Sequence, residues 1–342
     1  FNLEKPDSIR LVGGCVRDML LNRPISDIDI TTSAHPHQIA KLFPVTLDVG
    51  AQFGVMIVVI KGVNYEVATF RNDGAYIDGR RPVSVEFSTA KEDVLRRDFT
   101  INGILYDPLE DKIIDFVNGQ DDIKAKTIRA IGNPTQRFAE DKLRMIRAVR
   151  FTTRLNFNLE PDTLKAIQSM AKDITLVSQE RITDEMEKIS TGPSPDKALQ
   201  LLRETGLLRF ILPHFVNYQT NAINTIQTIF NQLEGCDFDS ALAILLAHEG
   251  NTSPLNEFDF PSDENPKTHE RRLKTTKLFN LSNQVIKDVS QIWAILTLFK
   301  NYRQLRKALQ MRILLNPLFA KSLTLQRLWE INRHIPNPIT KI

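Results

Sequence analysis

Two acidic residues alternate with isoleucines in the segment Ser26–Thr32, and this alternation restricts the fold more than any other feature of the chain. β-Branched residues favour a strand, and successive side chains of a strand point to opposite faces. The pattern therefore predicts a strand in which Asp27 and Asp29 share one face, while Ile28 and Ile30 enter a core. Two carboxylates on one face can converge on one hard cation, or on two cations roughly 3.5–4 Å apart.

A glycine pair precedes this strand. Gly13 and Gly14 have no Cβ, so their backbone N–H groups can approach a phosphate closely, and Arg17 follows them as a fixed cation. The glycines and the two acids together are typical of a site that holds Mg²⁺ against a nucleoside triphosphate. Glu66, in the strand-like run 65–70, is a candidate third metal ligand, and the alternative is a charge on an edge strand.

Arginines dominate the next segment of interest, residues 96–102. The Arg97 guanidinium suits triphosphate oxygens, which it can bind through two hydrogen bonds. The amide of Asn102 can reach a ribose hydroxyl. A surface ion pair with a helix cap is the alternative, and it explains Arg96 equally well.

A second arginine-rich segment, Glu140–Phe151, predicts one helix. Arg144, Arg147 and Arg150 recur at every third position and share one broad face, with Asp141 one turn before the first of them. Such a row repels itself unless an anion or buried partners offset it. An acid and an arginine one turn apart also supply the acceptor and the donors needed to recognise the edge of a base. Simple ion pairs along the helix are the alternative.

The chain changes from mixed α/β to helical patterning at Asn133–Pro134, and its 342 residues exceed what one core usually supports. We predict an α+β fold made of four segments: a head of residues 1–135, helical segments at 136–195 and 196–265, and a helical tail at 266–342. The stretch Arg71–Pro82 has little periodicity and predicts a mobile loop.

Charge is distributed unevenly along the chain. Residues 266–342 hold 15 lysines and arginines against 3 acids, whereas the first 265 residues hold 29 against 38. A basic tail behind an acidic remainder favours a partner made of phosphates, and a solvated basic helical surface is the alternative.

Composition excludes two classes of protein. No run of about 18 apolar residues is present, which argues against a membrane span. Cys15 and Cys236 are too few for a disulfide framework and favour a reducing compartment, so we predict a cytoplasmic location. Phe1 in place of an initiator Met leaves open a removed organelle-targeting segment.

Taken in order, four motifs resemble those of the class II nucleotidyltransferase family, which comprises CCA-adding tRNA nucleotidyltransferases and bacterial poly(A) polymerases. The motifs are Leu11–Asp18, Asp27–Asp29, Arg96–Asn102 and Glu140–Phe151. The resemblance runs from about residue 10 to about residue 215, and the tail beyond is similar in length and helicity only.

The resemblance implies a β-polymerase-like nucleotidyltransferase head followed by a helical neck (136–195), body (196–265) and tail. It implies Mg²⁺-dependent transfer of nucleotides from CTP and ATP to an RNA 3′-hydroxyl, with release of pyrophosphate and without a template. By this resemblance, Asp27 and Asp29 would bind Mg²⁺, and Gly14 and Arg17 would contact the triphosphate. Arg97 would bind the nucleotide, and Asp141 and Arg144 would recognise the base, with Arg147 and Arg150 beside the nucleotide. The stretch Arg71–Glu86 would form a flexible loop.

Within the family, two features indicate the substrate. Gly50–Gly54 lacks the paired basic residues of poly(A) polymerases, which favours tRNA as the RNA partner, bound by the basic tail. The loop at Arg71–Glu86 is unlike enzymes that add only CC, so we expect addition of CCA or of its terminal A. A poly(A) polymerase and a non-catalytic RNA-binding protein with the same fold are the alternatives. The sequence departs from the family's usual pattern at Gly103 and at Asn118–Gly119, where loop geometry is in question.

Overall fold

The computed structural model describes residues 9–73, 85–217, 220–233, 235–247, 265–276, 279–299 and 302–332. The chain divides into two compact units. The first unit comprises the described residues up to Thr152 together with Asn156–Met170, and the second comprises Thr153–Leu155 together with the described residues from Ala171 onward. The predicted division of the chain into four segments, head, neck, body and tail, does not correspond one to one with these two units and stays a prediction.

All strands among the described residues belong to the first unit. In chain order they are β1 (Ile9–Val12), β2 (Asp29–Thr32), β3 (Thr46–Gly50), β4 (Val55–Ile60), β5 (Val63–Thr69), β6 (Arg71–Asp73), β7 (Val85–Phe87), β8 (Ile104–Asp107), β9 (Lys112–Asp115), β10 (Thr127–Ile128) and β11 (Asn158–Leu159). Seven of them form one mixed sheet in the order β3–β4–β5–β2–β1–β8–β9, in which only β2 and β5 run parallel. The remaining four strands form the pairs β6–β7 and β10–β11.

The first unit also contains the following α-helices among its described residues. They are α1 (Gly14–Leu20), α2 (Pro36–Leu42), α3 (Ala90–Leu95), α4 (Gly119–Lys124), α5 (Pro134–Glu140), α6 (Leu143–Leu155) and α7 (Pro161–Met170). The last three residues of α6 belong to the second unit. The helix predicted at Glu140–Phe151 begins later than predicted. The chain is extended at Asp141 (φ −142°, ψ 105°), which separates α5 from α6.

The two faces of the sheet have separate apolar cores, and this arrangement positions the site. On one face Ile39 of α2 packs with Val67 and its neighbours. On the opposite face Val94 of α3 packs with Val12 of β1. Asp29 lies directly across from Val12 in the β1–β2 register, so its side chain shares the face that α3 covers.

The second unit is helical throughout its described residues. Its helices are α8 (Gln179–Ser190), α9 (Pro195–Glu204), α10 (Leu208–Ile211), α11 (Thr220–Gln232), α12 (Phe238–Leu245), α13 (Pro266–Thr276), α14 (Asn283–Phe299), α15 (Lys307–Leu314) and α16 (Phe319–Asn332). Trp293 of α14 is fully buried in its core and donates its indole N–H to the Ala243 carbonyl of α12 (2.9 Å). The amphipathic spacing of apolar residues in the sequence predicts a helix at residues 179–190, and α8 confirms it.

Candidate active site

The glycine turn between β1 and α1 is the centre of the site. Gly13 adopts φ 77° and ψ −131°, a conformation that residues with a side chain rarely adopt. A Cβ atom on Gly13 would lie 3.5 Å from Asp29 Oδ2 and 3.8 Å from Arg97 Nη1. Gly14 follows as the first residue of α1, where a Cβ would lie 3.7 Å from Arg17 Nη2. The turn, one carboxylate and one guanidinium therefore meet at one point of the first unit.

The strand with the two acids is shorter than the sequence predicts. β2 begins at Asp29, so Asp27 lies before the strand, where it is exposed and accepts a hydrogen bond from Ser26 Oγ (3.1 Å). Ile28 is 41% exposed instead of buried. The prediction that one strand aligns both acids is wrong, because the neighbouring strand β1 ends at Val12, opposite Asp29.

The two acids nevertheless interact electrostatically. Burial raises the pKa of Asp29, the charge of Arg97 lowers it, and the negative charge of Asp27 raises it again, so that it stays above its ordinary value. The single guanidinium therefore does not offset both burial and the second carboxylate. This is the electrostatic setting of a site that favours an added cation.

Glu66 lies beside Asp29 in the parallel β2–β5 register, on the same face of the sheet. Partial desolvation and then the charge of Asp29 raise the pKa of Glu66. No three His, Cys, Asp or Glu side chains are grouped to hold a metal in the part of the chain that the structure describes. Glu66 as a third ligand therefore stays a prediction. The alternative, a charge on an edge strand, is wrong, because β5 lies inside the sheet and not at its edge.

Arg97 is held at the glycine turn by a residue that the sequence analysis did not single out, Asp93. Thr89 and Glu92 form a capping box that starts α3 and places Asp93 in its first turn. Arg97 donates through Nε (3.2 Å) and Nη2 (2.9 Å) to Asp93 Oδ2, and Arg96 donates to Oδ1. The spacing of four residues between Asp93 and Arg97 was the available sequence signal.

A chain of buried hydrogen bonds connects α1 with α6. Arg17 binds the Asp18 carboxylate through Nε and Nη2 (2.9 Å each) and donates through Nη1 to Asn102 Oδ1 (2.8 Å). Asn102 donates through Nδ2 to Asp98 Oδ1 (3.1 Å). Arg147 donates through Nε (3.0 Å) and Nη2 (2.6 Å) to Asp98 Oδ2. Burial would raise the pKa of Asp98, but Arg147 and then Asn102 hold it at about 2.

The side chains of Arg17 and Asn102 are both buried and bound to protein groups. The predicted contacts of Arg17 with a phosphate and of Asn102 with a ribose stay predictions. Both side chains support the turn and the segment that follows Asp98. Sequence patterning could not reveal this, because the hydrogen bond joins residues 85 positions apart.

Arg144 is also engaged within the first unit. It donates through Nη1 to Glu140 Oε2 (2.7 Å) and to the Arg137 carbonyl (2.9 Å), and through Nη2 to the Arg96 carbonyl (3.0 Å). Asp141 accepts the Leu143 N–H (3.0 Å) just before α6. The predicted pair for base recognition therefore does not lie on one helix, and Arg144 is bound to protein groups.

Three arginines surround one aromatic ring next to this network. Arg17, Arg147 and Arg150 have their guanidinium carbons 5.3, 5.3 and 4.3 Å from the centre of the Phe151 ring. Cation–π contacts of this kind offset part of the repulsion among the cations. The predicted row of arginines is thus compensated by Glu140, by Asp98 and by this ring.

The predicted flexible loop falls mainly outside the described residues, since residues 74–84 are not among them. Its described flanks, β6 and β7, pair with each other in antiparallel register from Arg71–Phe87 to Asp73–Val85. Arg71 lies close enough to Glu66 to lower its pKa.

This arrangement suits a polyphosphate. The turn without Cβ atoms leaves space beside Asp29 Oδ2 and Arg97 Nη1, which supply negative charge for a cation and positive charge for phosphate oxygens.

Neither cysteine is activated as a nucleophile, since burial raises the pKa of the Cys15 thiol and raises that of Cys236 to about 12.

Two family profiles match the chain. One, described as "Poly A polymerase head domain", matches residues 9–129, and the other, described as "Probable RNA and SrmB- binding site of polymerase A", matches residues 156–218. Among solved structures, the Bacillus stearothermophilus CCA-adding enzyme in complex with CTP is 33% identical, with a TM-score of 0.73 over 97% of this chain and 76% of that chain.

Curated relatives of the chain are also CCA-adding enzymes. The CCA-adding enzyme of Geobacillus thermodenitrificans is 51% identical over 58% of this chain and 50% of its own length. That of Staphylococcus epidermidis is 38% identical over 74% of this chain and 61% of its own length. The chain thus spans about half the length of the first of these relatives.

The matches define a nucleotidyltransferase fold with a helical remainder. The chain belongs to the class II nucleotidyltransferase family of CCA-adding enzymes and poly(A) polymerases. The predicted fold class, α+β with a mixed-sheet head followed by helices, is confirmed. None of the helices in the described ranges is both long and apolar enough to cross a bilayer.

Proposed function

We propose that this protein adds CCA, or its terminal A, to the 3′ end of tRNA from CTP and ATP. The observation that carries the proposal is the meeting of Gly13, Asp29 and Arg97 at one point, in a chain whose relatives are named CCA-adding enzymes. That meeting point combines space for phosphates with charges of both signs. The two free cysteines support the further proposal of a reducing, cytoplasmic compartment.

Mg²⁺ is the cofactor that fits the acids of this site. Proteins usually bind it through one or two carboxylates together with substrate phosphates and water, so a third protein carboxylate is not required. Asp27 and Asp29 provide such a pair, and the raised pKa of Asp29 is consistent with a place for added positive charge. Bound there by these acids, Mg²⁺ would neutralise phosphate charge.

The reaction itself demands mainly positioning and charge neutralisation. The 3′-hydroxyl oxygen of the RNA attacks the α-phosphorus, a new P–O bond forms, and the bond to pyrophosphate breaks. The glycine turn lets phosphate oxygens approach the backbone, and Arg97 Nη1 offers a donor to them. No side-chain nucleophile is needed, because the RNA supplies the attacking group.

Base recognition by Asp141 and Arg144 is proposed from the family resemblance. Arg144 must exchange at least one of its bonds to Glu140, Arg137 and Arg96 before it can donate to a base. We expect Arg144→Ala to alter the choice between CTP and ATP more than it alters RNA affinity. Equal loss of both would argue against base recognition at this position.

The tail carries the proposed contact with the tRNA body. Four exposed cations make no ion pair with any residue of the described ranges: Arg303, Arg306, Lys307 and Arg312. Each phosphate contact contributes about 0.9 to the slope of log affinity against log salt, so replacing all four by Gln should reduce this slope by up to about 3–4. An unchanged slope would assign the tail another role.

The central experiment uses transcribed tRNA that lacks its CCA end, with labelled CTP and ATP. The double variant Asp27→Asn, Asp29→Asn should lose at least about a hundredfold in rate, because charge stabilisation at the phosphates is removed. The control Asp121→Asn, Asp162→Asn removes two exposed acids of the same unit and should retain the rate. Normal addition by the first variant would overturn the mechanism.

Sequencing the 3′ ends made from tRNAs that end before, after one and after two cytidines distinguishes CCA from A addition.

A poly(A) polymerase is the second candidate, because the head profile has that description. With ATP alone and a generic RNA, it would make long tails, whereas a tRNA enzyme would make a short defined addition. A non-catalytic RNA-binding protein would show no Mg²⁺-dependent turnover in either assay.

A further inference from the structure

The Arg97 guanidinium is bound along one edge only. Nε and Nη2 form the side edge of the planar group, and both donate to Asp93 Oδ2. The Arg97 side chain has no other hydrogen-bond partner among the described residues, and Nη1 is the nitrogen at the Gly13 turn. Binding of the side edge therefore fixes which nitrogen the arginine presents at the candidate phosphate site.

Asp93 is well suited to hold this orientation. It is fully buried, so water does not compete for its oxygens. Its two oxygens are divided between two arginines, with Oδ2 bound by Arg97 and Oδ1 bound by Arg96 through Nε (3.0 Å) and Nη2 (2.6 Å). The Arg71 N–H also approaches Oδ1 (3.4 Å). Neither arginine can shift without breaking two charge-assisted hydrogen bonds.

Both arginines remain coupled to the rest of the site through Asp93. Arg96, Arg97 and Asp93 together carry one net positive charge. Of the two arginines, Arg97 lies at the Gly13 turn with Asp29. Arginine has many rotamers, and ordering such a side chain at the moment of binding weakens affinity. An arginine that is already ordered avoids this loss.

We propose that Asp93 is a positioning residue that orders Arg97 before the nucleotide arrives, so that Nη1 is ready for a triphosphate oxygen. The inference deepens the proposed function and rests on it. Asp93 itself contacts no phosphate in this proposal. Its effect must therefore pass through Arg97, and this dependence is measurable.

A double-mutant cycle tests the dependence. CTP and cytidine affinities are measured by calorimetry, with Mg²⁺ present, for the unsubstituted protein, Asp93→Asn, Arg97→Gln and the double variant. We expect Asp93→Asn to weaken CTP binding about tenfold, the loss expected when one side chain must be ordered on binding, and to leave cytidine binding unchanged. In the Arg97→Gln background the same change should cost less than about twofold, because the partner is gone. Additive losses in the cycle would overturn the inference.

Asp122→Asn is the matched control. Asp122 is also buried and also accepts from an arginine, Arg129 (3.1 Å), but it lies on α4 and does not contact the glycine turn. We expect this variant to lose stability and to keep its CTP affinity. A tenfold loss of CTP affinity here would show that any buried Asp–Arg pair has this effect, and the assignment to Asp93 would fail.

A second variant covers the case in which Asp93→Asn does not fold. Arg97→Lys keeps the charge and can pair with Asp93, but an ammonium group cannot bind Asp93 along one edge and present another nitrogen. It should lose as much CTP affinity as Arg97→Gln, and full retention by the lysine variant would overturn the inference. Failure of the unsubstituted protein to bind CTP overturns the proposed function and the inference together. CTP binding with an additive cycle, in a protein that extends tRNA, overturns the inference alone.

Discussion

Arg97 and the arginines of α6 stand in similar motifs but in opposite situations. Arg97 binds Asp93 along one edge and leaves Nη1 at the glycine turn, without a partner among the described residues. Arg144 and Arg147 are instead bound to acids and carbonyls of the same unit. Nη1 of Arg97 therefore has no protein partner among the described residues, whereas the guanidinium groups of Arg144 and Arg147 bind groups of the same unit.

The placement of the nearest acid distinguishes Arg97 from Arg147. The acid of Arg97 lies four residues before it and orders its side edge. The acid of Arg147 lies 49 residues away and is buried, so the pair joins two segments of the unit. The first kind of pair prepares a binding group, and the second kind contributes mainly to stability.

The largest expected effect concerns Arg97. Replacing it by Gln removes the donor at the phosphate site, so kcat/KM for CTP should fall by roughly 10²–10³, as for the loss of one charge-stabilising donor. The measurement is steady-state addition to tRNA lacking its CCA end. If Arg97→Gln kept full activity and a change of Arg147 abolished it per folded molecule, the comparison would be reversed.

Arg147 should act mainly on stability. Arg147→Met leaves the buried Asp98 carboxylate without its cation, and removing one partner of such a pair destabilises strongly. A fully buried pair of this kind loses about 3–5 kcal/mol, and because Arg147 is 32% exposed, we expect a smaller loss, about 2–3 kcal/mol in the free energy of unfolding. Urea denaturation measures it. Lys124→Met, at an exposed ion pair, should change the same quantity by less than about 0.5 kcal/mol and serves as control.

The same pair predicts a pH dependence. The pKa of Asp98 in the folded protein is about 2, below its ordinary value of 3.8, so its ionised form stabilises the fold at pH values above that ordinary value. This stability, roughly 2 kcal/mol, is lost as the pH falls from 4 through 2. In Arg147→Met the cation is absent, so the stability gap between the two proteins should narrow over this window. A constant gap in acid denaturation curves would show that Asp98 is not the group responsible.

Local patterns predicted local structure well, and long-range contacts escaped them. The helix at residues 179–190 follows from amphipathic periodicity alone. The start of β2 at Asp29 does not, because it depends on where β1 ends. The burial of Arg17 and Asn102 is also not predictable from local sequence, because the two side chains bind each other across 85 positions of the chain. The sequence therefore predicts which residues form the candidate site, whereas which of their side chains are buried and which are exposed required the fold.

The smallest expected effect is at Glu140. Glu140→Gln removes one charged partner of Arg144, but the bonds to the Arg137 and Arg96 carbonyls remain. Since Glu140 is about a third exposed, the free energy of unfolding should fall by only about 0.5–1 kcal/mol. Urea denaturation beside Arg147→Met gives the ratio of the two effects. Glu140 also pairs with Arg137 (2.9 Å), so a loss above about 2 kcal/mol would mean that its carboxylate, and not the two carbonyls, is the main group that holds the two arginines together.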